Sequence, residues 1–252
     1  AILIMPNNPH AHYWKAYSHY NLKENADALR EFEIALSQGF KPLEVYRVRW
    51  FLHYEAKEYD AALSDLTKAI QLDPDNLDFK KGMGEIFYAQ GRYPDSLQIF
   101  QAVVLKQPKD GDVYFNIARA QGALGNVREQ GTAAQAALSN STHMIGESYF
   151  LLADSLQKQG QAEAAIDNYQ RAIAAKPENF QAYKNLADLY RSQSNFKAAI
   201  EVAKKAILKF PEDGSFYTDV SWYYSLDNEP ARAVEAARSA TKLLPNQYLG
   251  YT

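Results

Sequence analysis

The sequence of 252 residues contains no cysteine, which excludes disulfide bonds and thiolate metal sites. The only apolar run near the N-terminus, residues 2–5, is far shorter than the ~20 residues of a membrane-spanning helix. The net charge of −3 combines 27 basic and 30 acidic residues, which are scattered and form no basic stripe for nucleic acid. We therefore predict a soluble, cytoplasmic protein, with the periplasm as an open alternative, and expect neither membrane insertion nor a nucleic-acid partner.

Prolines recur at a fixed spacing along the chain. Pro74 and Pro108 lie 34 residues apart, and Pro177, Pro211 and Pro245 repeat the same interval. A fixed period of this length indicates stacked structural units. Within each unit, apolar residues recur every three or four positions, which is typical of helices, and one polar or glycine-containing break divides the pattern before the proline ends it. Each unit is therefore predicted to be a helix, a turn and a second helix, which gives an all-α fold.

Small, aromatic and aliphatic residues also mark fixed positions within each unit. The segment "FQAYKNLADLYRSQSNFKAAIEVAKKAILKFP" carries them most completely, at Tyr183, Leu186, Ala187, Tyr190, Ala199, Ala203, Ala206 and Pro211. This pattern resembles the tetratricopeptide repeat, and the resemblance extends over essentially the whole chain. It implies a right-handed superhelical α-solenoid of seven helical hairpins, with a partial repeat at each end.

The register of the pattern predicts seven full repeats. They cover residues 9–42, 43–76, 77–110, 111–145, 146–179, 180–213 and 214–247. Residues 1–8 resemble the end of a preceding repeat, with Pro6 at the position of Pro211, and residues 248–252 resemble the start of a further one. We therefore expect a fragment of a longer protein, whose partial repeats could support end-to-end self-association.

Three repeats depart from the pattern. Arg49 and Trp50 hold positions of the second repeat that are usually apolar and small, so we expect a local shift of its first helix; Lys15 holds the position of Arg49 in the first repeat. The fourth repeat is degenerate, because it has an interior Gly131, which costs ~1 kcal/mol relative to Ala, and lacks the terminal proline. We predict a weak, flexible joint over residues 126–145.

The sequence offers no catalytic constellation. His10, His12 and His19 cluster along the chain, but packing or solvent exposure explains them more simply than a metal site does. The glycines of "KGMGEIF" lie within a predicted helix rather than in a phosphate-binding loop, and no Ser or Thr has the context of a nucleophile. We therefore predict no catalytic, cofactor or metal site, and no enzymatic activity.

The resemblance also implies where a partner binds. In this family the first helices of the hairpins line a concave groove, which usually holds an extended peptide or a helix of another protein. The groove positions of the first repeats are rich in aromatic and basic side chains. We predict that a partner contacts Tyr13, Trp14, Tyr17, Tyr20, Arg47, Phe51, Tyr54, Lys81, Tyr88, Phe115 and Arg119.

Two classes of function fit this interpretation. One is a protein–protein interaction scaffold that holds a partner peptide or helix in the groove, with the aromatic side chains as anchors. The other is a substrate-recognition or regulatory arm of a larger enzyme, such as a bacterial kinase, glycosyltransferase or protease, whose catalytic domain is outside this chain. The aromatic residues could instead serve self-association, contacts with another domain or structural packing.

Overall fold

The computed structural model describes residues 7–243. These residues divide into two compact units, of which unit 1 ends at Pro108 and unit 2 begins at Lys109. The described residues contain fourteen α-helices, joined in sequence as antiparallel hairpins, and no strand. The expected all-α architecture of seven hairpins is therefore confirmed over this range. The partial repeats expected at residues 1–8 and 248–252 lie outside the described residues, apart from Asn7 and Asn8.

Unit 1 contains three hairpins. Its helices are α1 (Pro9–Asn21), α2 (Asn25–Ser37), α3 (Pro42–Glu55), α4 (Tyr59–Leu72), α5 (Leu77–Ala89) and α6 (Tyr93–Lys106). Unit 2 contains four more hairpins. Its helices are α7 (Gly111–Ala123), α8 (Val127–Ser139), α9 (Ile145–Lys158), α10 (Ala162–Ala175), α11 (Phe180–Ser192), α12 (Phe196–Lys209), α13 (Gly214–Leu226) and α14 (Pro230–Leu243). No helix between residues 7 and 243 combines the length and the apolar character needed to cross a membrane.

Local sequence explains where these helices begin and turn. Most first helices follow a polar residue whose side-chain oxygen accepts amide hydrogen bonds from the first turn. These caps are Asn8, Asn76, Asp110, Asn179 and Asp213. Every hairpin turn contains one residue with a left-handed backbone, at φ between 58° and 78°. The residues are Lys23, Lys57, Gly91, Gly125, Gly160, Ser194 and Asn228.

The hairpin of α11 and α12 has a fully apolar interior. Leu186 and Ala187 on α11 are buried with Ala199, Val202 and Ala203 of α12 in the core cluster of unit 2. Small side chains let the two helices approach closely, and the larger side chains fill the space between them. This hairpin shows the packing that the repeat pattern predicts.

The first two hairpins use ion pairs at the equivalent positions. Arg49 on α3 donates two hydrogen bonds of 2.7 Å to Asp65 on α4, whose side chain is only 3 % exposed. Lys15 on α1 bonds to the equally buried Glu31 on α2 at 2.5 Å, and His12 Nδ1 lies 2.6 Å from the second oxygen of Glu31. Charged residues therefore occupy these positions because each has a partner of opposite charge in the same hairpin.

Trp50 is accommodated by the following hairpin. A Cβ atom placed on Gly82 of α5 would lie only 3.0 Å from the indole ring, which is closer than nearly all real Cβ contacts. The absence of a side chain at Gly82 therefore makes room for Trp50. The shift expected for the first helix of the second repeat stays a prediction.

The fourth hairpin is packed closely at Gly131. Its second helix, α8, is continuous, and a Cβ atom on Gly131 would overlap with the hydroxyl group of Ser155 on α9. That hydroxyl donates a 2.6 Å hydrogen bond to the carbonyl oxygen of Val127. Gly131 therefore permits a close approach of α8 and α9, and this packing gives no support to the interpretation of the glycine as a point of weakness.

The loop that replaces the terminal proline of this hairpin is also anchored. Asp112 accepts hydrogen bonds from the Thr142 hydroxyl at 2.6 Å and from the His143 backbone amide at 2.7 Å, and its second oxygen lies 2.7 Å from His143 Nδ1. Burial alone would raise the pKa of Asp112, but these hydrogen bonds lower it overall. The weak, flexible joint predicted over residues 126–145 stays a prediction, and this anchoring argues against it.

Candidate partner-binding surface

The first helices of unit 1 carry a set of aromatic residues on one side. We call this set the aromatic face. It consists of Tyr13, Trp14, Tyr17 and Tyr20 on α1, Phe51 and Tyr54 on α3, and Tyr88 on α5. On α1, Tyr17 follows Trp14 by three positions and Tyr20 follows Tyr17 by three, and on α3, Tyr54 follows Phe51 by three. Residues with this spacing lie on the same side of a helix.

The aromatic rings of α1 contact one another in series. The centroids of Tyr13 and Trp14 are 5.2 Å apart, those of Trp14 and Tyr17 are 6.0 Å apart, and those of Tyr17 and Tyr20 are 5.9 Å apart. Trp14 remains 62 % exposed. The helix therefore presents a continuous aromatic strip with a large solvent-exposed indole.

Tyr13 is the member of this strip that is most tied to the core. Its ring stacks on buried Phe40 at a centroid distance of 4.3 Å. Burial and the nearby charge of Glu44 raise the pKa of Tyr13, although Arg47 acts in the opposite direction. Tyr13 therefore keeps its hydroxyl proton at neutral pH and combines a structural contact with a place on the surface.

The tyrosines of α3 and α5 are half-buried against the helices that follow them. Tyr54 lies 6.4 Å from Phe51 and 6.0 Å from Tyr59 on α4, measured between ring centroids. Tyr88 lies 5.2 Å from Tyr93 on α6 in the same way. These contacts fix the orientation of the two rings, and each side chain remains partly exposed.

A depression joins the aromatic residues of the first two hairpins. It has a volume of about 490 Å³. Its lining residues are Tyr20, Asn21, Lys23, Asn25, Phe51 and Glu55. The side chains of Asn25 and Glu55 are hydrogen bonded across it at 3.4 Å. Tyr20 and Phe51, which were predicted as anchors from separate repeats, therefore line one concave site.

The two basic residues of unit 1 that were predicted as partner contacts differ in their surroundings. Lys81 on α5 forms an ion pair of 2.7 Å with Asp78, one turn earlier on the same helix. Arg47 on α3 is exposed and makes no ion pair with any residue between 7 and 243. Of the two, Arg47 is the one whose charge is available to an acidic group of a partner.

The remaining predicted contacts belong to unit 2. Phe115 on α7 is only 7 % exposed, so its ring offers little surface, contrary to the open groove position that the sequence suggested. Arg119 donates a 2.9 Å hydrogen bond to Asn116 and lies 5.6 Å from the centroid of Phe115. These two residues do not extend the aromatic face within unit 1.

The groove positions of the last hairpins are paired internally. Lys184 on α11 is ion-paired with Asp219 on α13, and burial raises the pKa of Asp219 more than the lysine lowers it. Arg191 lies 4.7 Å from the indole of Trp222, which is 49 % exposed. Sequence analysis did not identify this ion pair between neighbouring repeats. Opposite charges one repeat apart are the signal that could have indicated it.

The histidines that cluster along the sequence have separate partners. His12 is buried with Glu31, and His19 Nδ1 lies 2.5 Å from Glu24. His19, Glu24 and Asp27 bring one ligand atom each within 4.8 Å of one another, but Asp27 is bonded to Arg30 at 2.6 Å. This group is therefore a set of surface ion pairs whose polar atoms already have partners.

Comparison with known proteins identifies the repeats. Family models described as "Tetratricopeptide repeat" match residues 53–121 and 150–215. The crystal structure of the C-terminal part of a TPR repeat-containing protein from Cytophaga hutchinsonii superposes with a TM-score of 0.73. The two chains are 17 % identical, and the match covers 94 % of this chain and 97 % of that one. At this level of identity the similarity shows a shared fold.

Two curated proteins are also similar in sequence. The BBSome complex member BBS4 homolog of Drosophila melanogaster is 23 % identical over 176 residues, which cover 66 % of this chain and 36 % of that protein. The human protein O-mannosyl-transferase TMTC1 is 28 % identical over 121 residues, which cover 48 % of this chain and 13 % of that protein. This chain thus spans about a third or less of the curated relatives that it matches.

Proposed function

We propose that this chain, which belongs to the tetratricopeptide repeat family, binds a segment of a partner protein on the aromatic face of unit 1. Proteins with this fold are in general protein–protein interaction scaffolds and are not catalytic. Their hairpins provide a surface on which binding residues of successive repeats can line up. On the aromatic face of unit 1, aromatic residues of three successive first helices provide such a set.

The observation that carries the proposal is the partly exposed aromatic strip of α1, with Trp14 at its most exposed point, beside the depression of Tyr20 and Phe51. Contiguous exposed aromatic surface is a mark of interaction sites, whereas single exposed apolar residues are ordinary. Trp and Tyr also supply a large contact area for few rotatable bonds, and they dominate binding hot spots. We infer that Trp14, Tyr17 and Phe51 anchor the partner.

Arg47 contributes orientation rather than most of the affinity. It is exposed beside Tyr13 and has no ion pair between residues 7 and 243. A rim charge of this kind steers association and fixes the register of a bound segment. An acidic residue of the partner would pair with it, and the aromatic contacts would supply the greater part of the free energy.

The experiment compares two exposed tryptophans on first helices. A partner captured from the source cell with the full chain is titrated against Trp14→Ala, against Tyr17→Ala with Phe51→Ala, and against Trp222→Ala. We expect the double variant to lose about 2 to 4 kcal/mol of binding free energy, Trp14→Ala to lose about half of that, and Trp222→Ala to bind as the parent. Unchanged affinity in the double variant, with helical content intact, would show that the aromatic face is structural.

A second candidate is supported by the similarity to TMTC1. Only 13 % of that protein, which is named as an O-mannosyl-transferase, aligns with this chain. By this proposal the chain is the substrate-recognition or regulatory arm of a larger enzyme whose catalytic domain lies elsewhere. The full-length reading frame tests it, because the proposal requires a catalytic domain to be encoded together with these repeats and fails without one.

A further inference from the structure

A depression formed by three helices of unit 2 has the composition of a small-molecule site. We propose that it binds a small carboxylic acid with an aliphatic body, whose chain contacts the apolar walls and whose carboxylate is held by Tyr183 and Lys205. The proposal is independent of the aromatic face, because every lining residue of this depression belongs to α10, α11 or α12.

The walls of this depression are mainly apolar. Its volume of about 390 Å³ is within the usual range for small-molecule sites. Its lining residues are Gln170, Ile173, Ala174, Tyr183, Leu186, Val202 and Lys205. Ile173, Leu186 and Val202 belong to three different helices, so an aliphatic chain bound here would lose contact with water on several sides. The side-chain amide of Gln170 is already used, since it donates a 3.1 Å hydrogen bond to the Tyr190 hydroxyl.

Tyr183 is the most buried of the polar residues that line this depression. It is only 6 % exposed, and its hydroxyl group makes no hydrogen bond with any other residue between 7 and 243. Burial raises the pKa of Tyr183 and outweighs the opposing charge of Lys209, so the hydroxyl keeps its proton at neutral pH. Since buried polar groups normally have a hydrogen-bond partner, this hydroxyl is a donor for an acceptor on a bound molecule.

Lys205 gives the depression a positive charge. It forms no ion pair with any residue between 7 and 243, and none of the other lining residues is charged. The nearest acidic residues by sequence have other partners. Glu201, one turn before Lys205 on α12, lies 3.8 Å from Lys204, and Glu178 is paired with Lys209 at 2.9 Å. An anionic head group is therefore favoured over a neutral or a cationic one.

The equivalent place in the next repeat has a similar shape but a different charge. A depression of about 450 Å³ is formed there by α12, α13 and α14, and three of its apolar and aromatic lining residues lie 34 positions after counterparts in the first. These three are Ile207, Tyr217 and Val220. Ser239 holds the position of Lys205, and Glu235 is part of the lining. Its two cations, Lys204 and Arg232, are each paired with a glutamate. We therefore expect the acid to bind in the first depression and not in the second.

The test is a ligand-observed NMR titration of the full chain with octanoate, 1-octanol and octylamine. The three probes have aliphatic chains of nearly equal length, so differences in affinity report on the head group. We expect octanoate to bind about ten-fold more tightly than octanol, because hydrogen bonds to a charged group contribute more than neutral ones. Octylamine should bind more weakly than octanol, because its charge has the same sign as that of Lys205.

Variants locate the bound acid in the first depression. Lys205→Gln should weaken octanoate binding about ten-fold and leave octanol binding unchanged, whereas Tyr183→Phe, which removes only a hydroxyl, should weaken octanoate binding about three-fold. Ala174→Phe, at an exposed position of the lining, should fill the depression and weaken the binding of both probes. Lys204→Gln, at the adjacent residue, is the matched control and should bind octanoate as the parent does.

Three results would overturn the proposal. The first is equal binding of octanoate and octanol, or octanoate binding that is insensitive to Lys205→Gln and Tyr183→Phe. The second is no measurable binding of octanoate by the parent chain with its helical content intact. The third is binding that Lys204→Gln weakens and Ala174→Phe does not, which would place the ligand in the second depression. The aromatic face is tested separately, by Trp14→Ala.

Discussion

The second and sixth hairpins use the same two helix positions in opposite ways. In the hairpin of α11 and α12 these positions hold Leu186 and Val202, which are buried in one core cluster. In the hairpin of α3 and α4 they hold Arg49 and Asp65, joined by two hydrogen bonds of 2.7 Å. One backbone arrangement thus accepts either an apolar pair or an ion pair, provided that both members change together.

The difference teaches that the repeat pattern specifies pairs rather than single residues. A lone charge at such a buried position would carry a large desolvation cost, whereas a paired one recovers most of it through Coulomb attraction and hydrogen bonds. The paired arrangement need not be more stable than the apolar one, since buried ion pairs often gain little over well-packed hydrophobic residues. The ion pair does, however, make the burial of each charged residue depend on the presence of its partner.

The largest effect is expected from breaking the ion pair on one side. Asp65→Ala leaves the Arg49 guanidinium with the exposed Glu33 as its one remaining ion-pair partner among the described residues, so we expect a loss of about 3 kcal/mol in the local stability of α3 and α4. Hydrogen exchange of the amides of these helices in the full chain measures this loss. Amides of α11 and α12 serve as the internal reference and should be unaffected.

The matched control converts the second hairpin to the pattern of the sixth. Arg49→Leu combined with Asp65→Val replaces the ion pair by the residues found at Leu186 and Val202. We expect exchange protection at or above the parental level, because an apolar pair of similar volume removes the desolvation cost. If the double variant were as unstable as Asp65→Ala, the two hairpins would not be interchangeable at these positions.

A somewhat smaller loss of stability is expected from truncating a core side chain in the apolar hairpin of α11 and α12. Leu186→Ala should cost about 2 to 3 kcal/mol, in the lower part of the range for such substitutions, because Leu186 borders a surface depression where the structure can relax. Thermal or urea unfolding, with exchange at α11 and α12, measures it. A loss larger than that of Asp65→Ala would reverse the ranking of the two hairpins.

A third test concerns the close approach in the fourth hairpin. Gly131→Ala places a methyl group against Ser155, and overpacking of this kind costs about 1 to 3 kcal/mol. Gly125→Asn is the control, since no atom lies within 4 Å of a Cβ at that position and Asn tolerates its φ of +78°. A stabilising Gly131→Ala would restore the earlier interpretation of Gly131 as a weakness in α8.

The smallest effect is the response of the ion-paired hairpins to acid. Burial alone would raise the pKa of Glu31, but hydrogen bonds from Lys15 and His12 lower it below its ordinary value of 4.5. The stability that this carboxylate contributes is therefore present above about pH 4.5 and is lost as the pH falls through the lowered pKa. Exchange protection of α1 and α2 should decrease in this range before that of α11 and α12, and Glu31→Gln should remove the difference.

The sequence predicted the hairpins well because their signals are local and repeated. The 34-residue period of prolines such as Pro177 and Pro211, and the small residues at Ala187 and Ala199, follow from how two helices must pack in every unit. The ion pairs were missed although a signal existed, since Lys15 and Glu31, like Arg49 and Asp65, are opposite charges 16 residues apart. A family pattern gives the usual residue type at each position separately, so it does not show which two positions must change together.

Other features could not be read from the sequence. Gly131 has a low helix propensity in isolation, and only the neighbouring helix shows that a side chain would not fit there. Phe115 occupies a groove position by register but is buried, because exposure depends on side chains far away in the sequence. The positions of the aromatic face followed from register, whereas the depression that joins Tyr20 to Phe51 required coordinates.

The contact between Trp50 and Gly82 restricts how a chain of this kind can evolve. Duplication and recombination of whole repeats would exchange Gly82 for the residue at the same position of another repeat, which is Trp14, Val48, Asn116, Leu151, Asn185 or Asp219 by the register used above. Each of these carries a side chain into the space that the indole occupies. A recombination that separates the second repeat from the third would therefore require the Trp50 indole to move aside.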